Sequence, residues 1–251
     1  MAETILVTGA SAGFGQAICQ RLVADGHRVI GAARRIEKLQ ALHKELGEAF
    51  YPLQMDVTDL TQVDQALSSL PADWEQIDVL VNNAGLALGL APAQKAETAD
   101  WLTMIQTNII GLTYLTRQIL PRMVERNEGY VINMGSTAGT VPYPGANVYG
   151  ASKAFVKQFS LNLRADLAGK QIRVTNIEPG LCEGTEFSSV RFKGDEKRVE
   201  ALYRDAHAIQ PEDIANTVSW LIQQPKHVNV NRIEIMPVSQ TFGPQPVYRG
   251  D

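Results

Sequence analysis

The sequence predicts an α/β fold, a single domain built on a doubly wound parallel sheet. Three observations carry this reading. Runs of apolar, often β-branched residues alternate with segments whose apolar positions recur every three or four residues. The runs are nearly continuous in hydrophobicity, as strands covered by helices on both faces must be. No stretch rich in Pro, Gly or Ser marks a linker, so residues 1–251 read as one unit. Repeated strand–helix units with right-handed crossovers then give a parallel sheet.

The first strand is read at residues 4–9 (TILVTG), and the helical pattern GQAICQRLVADG follows it. Residues 27–34 (HRVIGAAR) form the second strand, with IEKLQALHKELG as its helix. Strands follow at 49–55 (AFYPLQM), 77–84 (IDVLVNNA), 129–136 (GYVINMGS) and 172–179 (IRVTNIEP), with a late one at 231–237 (NRIEIMP). Asn108, in TNIIGL, is expected on the helix after the fourth strand. Residues 147–160 (NVYGASKAFVKQFS) read as a buried helix through Phe155, Val156, Phe159 and Leu163. Residues 183–205 break the alternation: they are polar and charged after a Pro-Gly, which suggests an inserted substrate loop or lid. Within it GDEKRVE is expected to start a solvated helix. The tail from Thr241 (TFGPQPVYRGD) is expected to run over the surface or onto a neighbouring subunit.

Composition narrows the function classes. The chain is 45% hydrophobic and 20% charged, enough apolar residues for a sizeable core. A formal net charge of -4 offers no basic footprint for nucleic acid. Cys19 and Cys182 make no disulfide framework and suit a reducing, cytoplasmic setting as small packing residues. The N-terminus lacks the pattern of a secretion signal, and the most apolar stretch, IDVLVNNAGLALGLAPA, is too short and too polar to span a bilayer. No His/Cys spacing resembles a metal site, and His27 and His43 read as surface residues. Trp74, Trp101 and Trp220 read as packing or interface anchors.

The turn after the first strand, VTGASAGFGQAI, places Gly9, Gly13 and Gly15 between a strand and a helix. Glycines there permit a tight turn and let backbone N–H groups approach a phosphate, while the helix N-terminus adds a positive dipole end. This is the dinucleotide-binding context of a Rossmann fold, with Ser11, Ala12 and Phe14 completing the turn. The second strand ends on Ala33, Arg34 and Arg35, with no acid to hold a ribose 2′-hydroxyl. Two guanidiniums suit a 2′-phosphate, so NADP is expected as the cofactor. Asp56 and Val57 close the third strand, where a carboxylate could take the adenine amine. Asn82 and Asn83 close the fourth, where amides could support the sheet edge and the adjacent ribose.

Tyr149 and Lys153 lie one turn apart on one helix face. The plain reading is a packed phenol and a lysine reaching for water; the sharper one is an acid/base tyrosine whose pKa a nearby cation lowers. The ordered set decides between them. T-G-A-S-A-G-F-G, N-N-A-G, Asn108, Ser136, Y-G-A-S-K and Pro179-Gly180 together resemble the short-chain dehydrogenase/reductase family over essentially the whole chain. The resemblance implies that Tyr149 exchanges a proton with the substrate oxygen and that Lys153 holds the nicotinamide ribose. It also implies that Ser136 hydrogen-bonds the reacting oxygen and that Asn108 holds a water linking Lys153 to solvent.

Further stretches (NNAGLALGLAPA, NVYGASKAFVKQFSLNLR, IEPGL, TEFSSVRFKGD, HVNVNRIEIMPVSQ) are similar to the bacterial NADP-dependent 3-hydroxy acid dehydrogenase branch. That likeness implies a cytoplasmic homotetramer acting on L-allo-threonine, serine or 3-hydroxyisobutyrate, with malonic semialdehyde reduced in reverse. Leu181-Cys182-Glu183-Gly184 departs from the expected glycine-rich or apolar step and bears on the nicotinamide pocket. A hydroxy acid needs a cation for its carboxylate. Among Arg191, Lys193, Lys197 and Arg198, the forked guanidinium of Arg191 is the first choice, against a solvated basic loop or subunit contact. Two alternatives stay open: a short-chain reductase of another carbonyl, and a non-catalytic NADP sensor using the fold alone.

Overall fold

A computed structural model of the chain describes residues 2–243. Seven strands build one sheet: β1 (Thr4–Thr8), β2 (Arg28–Ala33), β3 (Phe50–Gln54), β4 (Val79–Asn82), β5 (Gly129–Met134), β6 (Ile172–Pro179) and β7 (Arg232–Ile235). Their order is β3-β2-β1-β4-β5-β6-β7, and all neighbours are parallel. This is the doubly wound fold the sequence predicts. The order reverses between β1 and β4, and ligands of such sheets bind beyond the carboxyl ends of the strands at that point. Pro52 is tolerated because β3 is an edge strand.

Helices α1 (Gly13–Ala24), α2 (Ile36–Leu46) and α9 (Pro211–Gln223) bury Ile18, Leu22, Leu39, Ile214 and Val218 against one face. On the other face α3 (Leu60–Ser68), α5 (Leu112–Arg126) and α6 (Asn147–Asp166) bury Val63, Leu115, Ile119 and Leu163. Between β4 and α5 the chain runs through α4 (Thr98–Ile105) and a π-helical turn, Gln106–Gly111. Gly111 is required there, because a Cβ would meet the Val57 carbonyl at 2.6 Å.

Buried polar groups in the sheet are satisfied across strands. Asn82 donates to Asn133 and Thr116, and Asn133 donates to Ser160 on α6. Arg173 on β6 lies over the Tyr130 ring and donates to the Leu221 and Gln224 carbonyls at the end of α9, where a cation also meets the helix dipole. Glu178, fully buried, forms a two-pronged ion pair with Arg232 of edge strand β7.

Several expectations are corrected. The fourth strand ends at Asn82, because Asn83 turns away to bond Thr8. Phe155 is 38% exposed and stacks on Phe159, so that flank of α6 faces outward instead of into the core. His27 and His43 are half-buried, beside the Glu3 amide and the Phe50 carbonyl. Residues 183–205 contain two short helices, α7 (Phe187–Arg191) and α8 (Glu196–Tyr203), with Asp195 capping α8 as GDEKRVE suggested. Trp74 packs on Tyr51 and Arg28, Trp101 donates to Asn147, and Trp220 remains 47% exposed. Most of the tail from Thr241 lies outside the described residues. Among the described residues no helix is long and apolar enough to cross a membrane.

Candidate active site

The phosphate end is built from backbone. Gly9 (φ 68°) and Gly13 (φ 53°) adopt left-handed conformations that other residues avoid. Gly15 has no room for a side chain, since a Cβ would collide with the Gly9 carbonyl. Ala12 gives α1 no side-chain cap, and the first turn contains no acid, so its leading N–H groups face outward for an anion. Asn83 braces the turn through its Nδ2 to the Thr8 carbonyl (2.8 Å), and the Thr8 hydroxyl accepts from the Asn83 and Ala84 amides. Asn82 and Asn83 thus spend their amides on bonds within the sheet end. A cavity of about 690 Å³ opens between Ser11, Ala12 and Gly13 on one side and Lys38, Gly184 and Thr185 on the other. The cavity flanks the turn without reaching Asp56, Asn83 or Tyr149; the turn itself, closed to side chains at Gly9 and Gly15, is the part that fits a dinucleotide phosphate.

The two arginines part company. Arg34 is exposed, and among the described residues its guanidinium has no protein partner. Arg35 donates to the Ser11 hydroxyl (3.0 and 3.2 Å) and forks onto Glu186 (2.8 and 3.0 Å), which Lys38 also reaches (2.9 Å). Those hydrogen bonds hold the Glu186 carboxyl well below its usual range, at about 2. Asp56 accepts from the Thr58 amide and hydroxyl through Oδ1, and Val57 lies beside it against the π-turn.

At the reacting end Ser136 follows β5, and Tyr149 and Lys153 point in from the first turns of α6, both buried. Lys153 Nζ donates to the Met134 carbonyl (2.8 Å) and lies 5.9 Å from the Tyr149 ring centre. Ser136 Oγ accepts from the Ala138 amide (3.1 Å). Asn108 exchanges bonds with the Leu86 amide and carbonyl (2.9 Å each) and donates to Ser152 (3.0 Å). Both its N–H groups are thus engaged, leaving one lone pair on Oδ1 for a further donor. A Cβ at Gly85 would stand 3.3 Å from both Asn108 Oδ1 and Lys153 Nζ, so the missing side chain leaves space between those two atoms.

The expected lowering of the Tyr149 pKa is reversed by the protein's own groups. Burial pushes the phenol up to about 12, partly offset by the nearby Ser136 hydroxyl and the charge of Arg191. Burial also pushes Lys153 down to about 8, which weakens the cation meant to favour phenolate.

Pro179 accepts from the Ser136 and Thr137 hydroxyls (3.4 Å each), and the Gly180 amide donates to Ile235. Leu181-Cys182-Glu183 then runs alongside Ile209, with Glu183 bonded to Gln210. Burial raises the Cys182 thiol to about 12, so it is a packing group here.

Of the four loop cations only Arg191 reaches the reacting end. Its guanidinium lies 5.4 Å from the Tyr149 and Tyr143 ring centres, with Nη2 donating to the Tyr143 hydroxyl (2.9 Å) and Nε to the Gly89 carbonyl (3.4 Å). Among the described residues it has no carboxylate partner. Lys193 pairs with Asp100, and Arg198 lies over Phe192. Tyr143, Phe187 (5.7 Å from the Tyr149 ring) and Glu186 were not singled out by sequence reasoning. An aromatic between two prolines, VPYPG, was the one local signal available for Tyr143.

Comparisons with known proteins agree with this geometry. Residues 3–196 match the family model described as short chain dehydrogenase. The chain is 59% identical over 239 residues to a probable NADP-dependent dehydrogenase of Haemophilus influenzae, covering 95% of each. It is 56% identical over 245 residues to an NADP-dependent 3-hydroxy acid dehydrogenase of Escherichia coli K12, covering 98% of this chain and 99% of the relative. A solved closed form of serine dehydrogenase complexed with NADP+ superimposes with a TM-score of 0.97 at 56% identity, covering 98% of this chain and 100% of that one.

Proposed function

The chain belongs to the short-chain dehydrogenase family, and on that premise we propose that it is an NADP-dependent oxidoreductase of 3-hydroxy acids. Serine, L-allo-threonine and 3-hydroxyisobutyrate are the candidate substrates, and malonic semialdehyde the candidate for reverse reduction. The relatives named for NADP and for 3-hydroxy acids support the class. Within this chain, one observation carries the acid substrate: Arg191, half-buried and without a carboxylate partner among the described residues, stands beside the Tyr149 ring.

The bound nicotinamide supplies the hydride acceptor or donor. In the oxidative direction Tyr149 takes the substrate hydroxyl proton while the carbinol carbon gives up its hydride, leaving a carbonyl. Ser136 holds the reacting oxygen by a hydrogen bond. Lys153, through its charge, stabilises phenolate on Tyr149 and also holds the ribose. Asn108 has an Oδ1 lone pair free for a water between itself and Lys153, which would pass the proton outward. Ser11, Gly13, Phe14 and Gly15 would cradle the phosphates, with Arg34 taking the 2′-phosphate directly and Arg35 beside it. Asp56 Oδ2, the oxygen not engaged by Thr58, would take the adenine amine. Arg191 would fork onto the substrate carboxylate.

Purified protein should reduce NADP+, and NAD+ far less, when offered L-serine, L-allo-threonine or 3-hydroxyisobutyrate. Arg191→Ala should raise KM for these acids about tenfold or more, the scale of a charged hydrogen bond, without affecting an uncharged alcohol. Equal effects on both substrate types would remove Arg191 from carboxylate binding. We further propose that the protein is cytoplasmic and that it assembles as a homotetramer, the assembly supported by two exposed apolar faces.

A further inference from the structure

Helix α7 is five residues long, about 7.5 Å at 1.5 Å per residue. The Glu186 carboxylate, at its leading end, is gripped by Arg35 and Lys38 of the cofactor-phosphate region. Arg191, its last residue, is the guanidinium beside Tyr149. Sequence distance hides this link, since Arg35 and Glu186 stand 151 residues apart. We propose that Glu186 is a positioning residue for Arg191: its clasp on Arg35 and Lys38 holds α7 so that the guanidinium at the far end meets the substrate carboxylate. The inference rests on the reading of Arg191 given above.

Few other contacts hold α7. Ser188 is its one buried residue, and Val190 is 44% exposed, so little apolar surface fixes the helix. Its position is set by polar ties and by one apolar anchor, Phe187, which packs against the cluster of Ala87, Met104 and Tyr149. Glu186 holds the leading end, Ser188 meets the Tyr203 hydroxyl, and Phe187 leans on Tyr149. At the far end the Gly89 amide donates to the Arg191 carbonyl (2.9 Å). Segments fixed by a few polar contacts open at low free-energy cost. The wall receiving Arg191 is firmer. Gly145 sits so close to Leu90 that a Cβ would strike the Leu90 carbonyl at 2.5 Å, and Asn147 donates to Ala91. The less firmly held partner in the Arg191–Tyr143–Tyr149 arrangement is therefore α7, and Glu186 is its tether.

Exposed ion pairs contribute little, which bounds the effect. Glu186 and Arg35 are 48% and 39% exposed, but the pair is forked and shared with a lysine, the geometry in which such pairs do contribute. A change of about three- to fivefold is expected.

The test is Glu186→Gln, which keeps shape and removes charge. KM for 3-hydroxyisobutyrate should rise about three- to fivefold with kcat within about twofold, while the KM of its uncharged methyl ester stays unchanged. In an Arg191→Ala background, Glu186→Gln should add nothing. Without any cofactor, trypsin should cut after Arg191 and Lys193 several-fold faster in Glu186→Gln at an unchanged melting temperature. An unchanged KM and cleavage rate, or a full additional effect in the Arg191→Ala background, would overturn the tether. If Arg191→Ala itself leaves KM unaltered, the carboxylate reading fails, and the cleavage rate still reports separately on the clasp.

Discussion

At the scale of residues the governing conflict is between burial and charge. Tyr149 and Lys153 are both buried, and burial penalises the ionised form of each, so the phenol goes up to about 12 and the ammonium down to about 8. A tyrosine so placed is a ready acid and a reluctant base. Oxidation, which needs phenolate, should therefore accelerate as pH rises through the alkaline range, whereas reduction should not; a rate of oxidation flat from pH 7 to 10 would contradict this. Tyr149→Phe removes the proton carrier and should lower turnover by ~10²–10⁴-fold. NADPH binding, followed by fluorescence, should be retained; substantial remaining turnover would take Tyr149 out of the acid/base role. The lysine has a stability consequence as well. Its folded pKa lies below the ordinary 10.5, so the unfolded chain binds more protons between about 8 and 10.5, and stability rises with pH across that window. Below about 8 the full penalty of the buried charge is present. Lys153→Met should thus be inactive yet melt at an equal or higher temperature at pH 7, each ~1 kcal/mol recovered giving about 2–4 °C. A large loss of stability would mean that the bond to Met134 outweighs desolvation.

At the scale of elements the β1–α1 turn is the least forgiving piece. Gly15→Ala pushes a methyl group into the Gly9 carbonyl at the point where the phosphates approach, so something in the turn must move. It should lower NADPH affinity tenfold or more and destabilise the chain by about 1–3 kcal/mol, read by titration and thermal melting. Wild-type affinity in this variant would show that the turn relaxes freely. Such a turn is legible in sequence because its requirement is local: a strand, glycines at set spacing, a helix. The inner strands were legible for a similar reason, their apolar runs being covered on both faces, whereas edge strand β7 is only half-buried. The strand ends were not legible, since the end of β4 depends on Asn83 bonding Thr8, a residue far along the chain. The core of the candidate site, Ser136, Tyr149, Lys153 and Asn108, could be placed from spacing and resemblance. The π-turn holding Asn108, the helix α7 and the partners Glu186 and Tyr143 could not. Each of these owes its place to contacts across the fold, and α7 is too short to leave a periodic signature.

At the scale of the whole molecule two apolar faces stand on opposite layers of the sheet. One carries Leu102 on α4 (62% exposed), Ile110 in the π-turn and Phe155 on α6, whose ring stacks on Phe159 with centres 5.9 Å apart. The other carries Trp220 on α9 and Val238 just beyond β7, and among the described residues β7 is an edge strand with no strand on its outer side. Edge strands of this kind are normally covered or blunted, and large apolar side chains left in water mark contact surfaces. A single patch pairing with its own copy closes a two-fold dimer; two such patches on different layers close two different two-folds, and together these generate a tetramer with dihedral symmetry. The faces should be separable because no residue is shared between them. Phe155→Glu should leave the α9–β7 contact intact and yield dimers, Trp220→Glu should yield dimers through the other contact, and the double variant should be monomeric. Mass by light scattering distinguishes tetramer, dimer and monomer. A monomeric wild-type protein at micromolar concentration would defeat the assembly outright, and a tetramer surviving either single variant would show that the burial of that residue is not what holds its interface.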